Sequence, residues 1–137
     1  FPVTILILVL TTSAFAVGTR KIDTSATATG IPSKAIISLN SGSGGAVDAF
    51  AIYSLQVKGT GGVPTAWNVE VQGSLDCNAQ GVGTYATIIA NESTTQSDGD
   101  VVSLVNTLAV CVRVNVISLT LGPASAIEIT AVLQDQT

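Results

Sequence analysis

The sequence predicts an all-β fold, an antiparallel Greek-key sandwich of about seven strands preceded by an apolar N-terminal segment. Three observations predict it. Apolar residues recur with a period of two in the best-patterned segments, strand-like stretches follow one another at short spacing, and Gly/Ser/Asn/Asp loops separate them. No segment of the chain carries a convincing helical period, and no internal repeat suggests a solenoid or propeller.

Residues 1–17 carry no charge, and Val3, Ile5, Leu6, Ile7, Leu8, Val9 and Leu10 form a compact apolar run around Thr4. Ala14-Phe15-Ala16 follows, a small-x-small pattern of the kind signal peptidase cuts after. The segment therefore reads as the tail of a secretory signal. The second reading is an assembly arm that adds a strand to a neighbouring subunit. A processed pilin also opens on an apolar segment, but Ile5 stands where type IV pilins usually have Glu. A spanning helix needs about 20 apolar residues, so membrane contact is expected only through this short segment.

Residues 18–33 are small and polar, with Asp23-Thr24-Ser25-Ala26-Thr27-Ala28-Thr29-Gly30 at their centre, and read as an extended tether. The sandwich domain is expected over 34–137. Its first element, 34–39, ends at the loop Asn40-Ser41-Gly42-Ser43-Gly44-Gly45. Strands follow at 50–58, 67–75, 85–90, 101–105, 109–117 and 126–133. In 67–75 the inward set is Trp67, Val69, Val71 and Leu75, with Glu70 and Gln72 outward. In 109–117 it is Val110, Val112, Val114 and Val116, with Arg113 and Asn115 outward. Val114→Asp is then expected to unfold the domain and Asn115→Asp to be nearly silent.

Composition excludes several function classes. The 137 residues are 47% hydrophobic and 10% charged, with a mean hydropathy of +0.57, so there is apolar surface enough for a core. Five Lys+Arg against nine Asp+Glu give a net charge of −4, the wrong balance for neutralising phosphates; no nucleic-acid partner is expected. The absence of His removes a Ser-His triad, a His-ligated zinc and a histidine base.

Three stretches resemble a known family. Tyr53-Ser54-Leu55-Gln56-Val57-Lys58-Gly59, then Trp67-Asn68-Val69-Glu70-Val71-Gln72-Gly73-Ser74-Leu75-Asp76, then Val112-Arg113-Val114-Asn115-Val116 resemble the small β-sandwich modules of tailed-phage virion proteins. Those modules are similar in layout to immunoglobulin- and discoidin-like binding modules. The resemblance covers residues 46–134. It implies a sandwich that displays loops or assembles, without an enzymatic role. Cys77 stands where Gly usually follows the Asp, and Cys111 where an aromatic usually precedes Val-Arg-Val.

The candidate chemistry is sparse. If the strands at 67–75 and 109–117 are antiparallel neighbours, Cys77 and Cys111 come within disulfide reach, closing a loop of about 35 residues worth ~3–4 kcal/mol. Two free thiols are the alternative. Asp98-Gly99-Asp100 could offer oxygens to a cation, with Asp76 a third, but the motif is first of all a turn, and no metal or cofactor is expected. Glu70 and Arg113 fit an exposed cross-strand ion pair. Asn91-Glu92-Ser93 satisfies the N-glycosylation rule, and Trp67, Tyr53 and Tyr85 are the aromatics that could stack on sugars. These features imply a non-enzymatic structural or interaction module, a subunit or decoration of a virion or extracellular filament. Its expected partners are copies of itself or other structural proteins. The second reading is a secreted module binding surface glycans. Both place the protein outside the cell, at the cell surface or in a virion.

Overall fold

The computed structural model describes residues 18–39 and 49–136; the leader, arm and pilin readings of residues 1–17 lie outside them. The described chain holds strands and no helix, and the strands number eight. They are β1 (Thr19–Ala26), β2 (Ile36–Ser38), β3 (Ala49–Thr60), β4 (Ala66–Ser74), β5 (Ala86–Glu92), β6 (Val101–Ala109), β7 (Cys111–Thr120) and β8 (Ala126–Gln136). The eighth comes from the stretch expected to be a tether. β1 pairs with β8 from Thr19↔Gln134 to Ala26↔Ile127 and buries Ile22 and Ala26. Its alternation is real but faint, because Ile22 is the only large apolar residue on the inward face.

Two four-stranded antiparallel sheets result, ordered β1-β8-β3-β6 and β2-β7-β4-β5. Only the β4–β5 connection stays within one sheet; every other connection crosses between sheets. This is the strand order of a jelly roll, in which two Greek keys are interleaved. The core lies between the sheets: Phe50, Tyr53, Leu55 and Val57 of β3 and Ile127, Ile129 and Leu133 of β8 meet Trp67, Val69 and Val71 of β4 and Val112, Val114 and Val116 of β7. All are essentially inaccessible, and each side chain of this size gains about 1.5–3 kcal/mol by leaving water.

The inward sets at β4 and β7 follow the period, with two corrections. Leu75 is 72% exposed, because β4 leaves the ladder after Ser74, which pairs with Cys111. Val110 is buried outside the main core, in a small cluster with Cys77, Cys111 and Tyr85. β7 also bulges at Ile117, since Val69↔Val116 is followed by Asn68↔Ser118.

The crossing connections fix what meets at each end. At one end lie the start of β1, the end of β2, the starts of β3 and β7, the β4–β5 loop and the end of β8. The 93–100 loop and the turns at 61–65 and 121–125 occupy the other.

Candidate functional site

The outer face of the β2-β7-β4-β5 sheet carries the most concentrated polar chemistry in the described chain. Glu70 points outward from β4 as its period demands, yet it is only 6% exposed. Its carboxylate is enclosed by donors: the Gln72 amide and the Asn115 amide (3.0 Å) reach Oε1, and the Thr87 hydroxyl reaches Oε2. A buried carboxylate without a cation persists when hydrogen bonds satisfy it. The exposed Glu70–Arg113 ion pair is therefore not formed. Cross-strand register puts Glu70 opposite Asn115 and Gln72 opposite Arg113, so Arg113 Nε donates instead to Gln72 Oε1 at 2.7 Å. The Arg113 guanidinium then lies 3.9 Å from the centroid of the Tyr85 ring, a cation–π contact worth about 0.5–1 kcal/mol.

Residues 75–85, the loop from β4 to β5, fold back over this face and are fastened along their length. Cys77 and Cys111 form a disulfide, with sulfurs 1.93 Å and Cα atoms 6.2 Å apart, and both residues are buried. This is the pairing expected from strand adjacency. Asp76 Oδ1 accepts from Thr84 N–H (2.7 Å) and from the Ser74 hydroxyl (2.8 Å). Those bonds, the Thr84 amide foremost, hold the Asp76 carboxyl below its ordinary range. Asn78 Oδ1 accepts from Gln80 N–H (3.0 Å) and Val82 N–H (2.9 Å), while the Asn78 carbonyl accepts from the Ser38 hydroxyl of β2 (3.0 Å). Gly81 takes φ +79°, a conformation L side chains rarely adopt, and a Cβ there would meet Ile36 Cγ2 at 2.5 Å. Tyr85 OH closes the loop on Gly81 O at 2.6 Å. Burial pushes the Tyr85 phenol up, against the pull of Arg113. Sequence reading missed Ser38, Asn78 and Thr84 as loop anchors; the signal for Asn78 and Thr84 is the Asp76-Cys77-Asn78 run ahead of Gly81 and Gly83, which favours local side-chain-to-backbone bonds, whereas Ser38 is 40 residues away on β2.

The remaining candidates are dispersed. Asp98 Oδ1 accepts from Gly59 N–H at 2.7 Å and Asp100 Oδ2 from Ser97 N–H at 3.0 Å, around Gly99 at φ +87°. Asp100 caps its own turn and Asp98 ties that turn to β3, while Asp76 lies at the opposite end of the sandwich, so the three carboxylates do not converge. Asn91 is fully buried, facing the core beside Val69, and its amide has no hydrogen-bond partner among the described residues. A glycan cannot be carried there in the folded domain, which corrects the glycosylation reading. Trp67 and Tyr53 are core residues, which removes them as sugar platforms; only Tyr85 reaches the surface, with Arg113 over one face of its ring.

Chemically, the site is a stiff, internally satisfied surface. Most of its polar groups bond one another, and beside the exposed Asp76, Asn78, Gln80 and Thr84 two large apolar side chains stand in water: Leu75 at 72% and Val82 at 69%. Comparison with protein-family models, curated proteins and solved structures finds no match to this chain.

Proposed function

We propose that this chain is a non-enzymatic structural subunit, one that assembles with copies of itself into a virion or extracellular filament. The observation that carries this reading is the jelly-roll strand order, an architecture recurrent in capsid subunits. A fold alone does not assign a function, so the surface chemistry matters as well. Glu70, Asp76, Asp98 and Asp100 are each engaged in holding a sheet or loop, and large apolar side chains, Leu75 and Val82 foremost, are left in water for a partner to cover. The resemblance of the β3, β4 and β7 sequences to virion modules supports the same reading. The buried disulfide hints at an oxidising, extracellular environment.

The same architecture recurs in lectins, which favours the second reading, a secreted module that binds surface glycans. Electron microscopy of the purified full chain separates the two. Regular particles or filaments are expected. A preparation that yields no ordered particles at any concentration, yet binds immobilised glycans, overturns the assembly reading in favour of the second.

A further inference from the structure

The β4–β5 loop combines a fixed backbone with two large apolar side chains held in water. Leu75 and Val82 are the most exposed of the large hydrophobic residues among those described. Scattered apolar residues on a surface need no explanation. These two lie on one loop that is fastened by a disulfide, by Asp76 and Asn78, and by Ser38 from the neighbouring strand. Neither side chain serves the core. A rigid loop that presents apolar groups loses little entropy when it is covered, which is the economical way to build a contact.

Chain topology says what is at hand to cover it. β1 begins at Thr19, opposite Gln134, at the same end of the sandwich as this loop, so residues 1–17 join the described chain at that end. Leu108, 52% exposed, lies at that end too. Nine residue steps separate Leu10 from Thr19, a reach of up to about 30 Å. The run at residues 3–10 is uncharged, and Thr4 is its single polar residue. The loop is matched to such a partner, because its only charge is Asp76, already bonded to Thr84 and Ser74. Asp76 is an exposed carboxylate bonded to neutral groups, so an apolar segment laid over Leu75 and Val82 has to leave it in water. β1 is an edge of one sheet, whereas the loop lies over the outer face of the other. Contact between different surfaces of successive copies propagates into rings or filaments.

We propose that residues 3–10 of a second copy of this chain dock on Leu75 and Val82. This inference rests on the assembly reading and adds the place of contact to it. The test uses the full chain with a photo-reactive benzoylphenylalanine at position 82, and separately the Leu75→Lys/Val82→Lys pair. Both positions are exposed, so an unchanged circular-dichroism spectrum and an intact disulfide are expected as folding controls. Irradiation of the assembled protein should give a product of twice the chain mass, with position 82 joined to a peptide containing residues 3–10. The double-lysine chain should need at least a tenfold higher concentration to assemble.

A cross-link within one chain, a link to another peptide, assembly of the double-lysine chain at the wild-type concentration, or assembled protein lacking residues 1–16 overturns the docking proposal and leaves assembly standing. A wild-type chain that never assembles overturns both.

Discussion

The amide of Asn115 donates to Glu70 Oε1 at 3.0 Å, so this outward-facing residue steadies a buried anion. Asn115→Asp is therefore not silent, contrary to its position on the polar face. It sets a second carboxylate against the first and removes a donor, and should cost about 1–3 kcal/mol at neutral pH. Urea denaturation at pH 7 checks this. Val114→Asp remains the severe change at the next position, since Val114 is fully buried and the new charge has no partner. Tyr53 gives a second residue-scale prediction. Its phenol oxygen lies 2.7 Å from Phe50 O and 2.6 Å from Thr107 O, tying β6 to β3 where their register shifts. Burial pushes its pKa from 10.0 up to about 12. The stability this neutral phenol contributes is complete below pH 10 and is lost as pH rises to about 12, because the unfolded chain ionises first. Denaturation midpoints should fall steeply across that window, and Tyr53→Phe should flatten the fall while costing about 1 kcal/mol at pH 7.

Among the elements, the β4–β5 loop depends most on a single bond. The disulfide spans a sequence separation of 34, so replacing Cys77 and Cys111 together by Ser should lower unfolding free energy by about 3–4 kcal/mol. The β-sheet circular-dichroism signal should persist, since Val112, Val114 and Val116 lie in the separate main core. An undiminished denaturation midpoint would remove the loop-closure account. This element also marks how far sequence reading reaches. β4 and β7 were legible because Trp67, Val69, Val71, Val112, Val114 and Val116 alternate with polar residues, and the disulfide followed from placing those strands side by side. β1 was not legible, because Ile22 stands almost alone as its inward signal among Lys21, Asp23 and Ser25. Leu75 fitted the period but not the strand end, which depends on where the ladder with β7 stops. Glu70 points the way its period predicts but is 6% exposed where the period implies an open site. Its cover comes from Thr87 on β5 and Asn115 on β7, and local periodicity does not report neighbours across a sheet.

At the scale of the whole molecule, crossing connections between two sheets produce a sandwich whose ends differ in character. One end carries the Asp98-Gly99-Asp100 turn, where Asp100 binds the turn's own backbone and Asp98 ties it to Gly59 of β3. At the other lie the disulfide-fastened loop and the start of β1. The sheet faces differ as well: the β1-β8-β3-β6 face bears the ion pairs Lys21–Asp23 and Lys58–Glu128, each at 3.3 Å and well exposed, which contribute little to stability. What this arrangement offers to other molecules is a rigid end with apolar groups on display. The most direct test of the assembly reading is sedimentation velocity of the full chain across a hundredfold range of concentration. The account predicts a species of several copies that grows with concentration and disperses when Leu75 and Val82 are replaced by Lys; a single 13.8 kDa monomer throughout the range would contradict it.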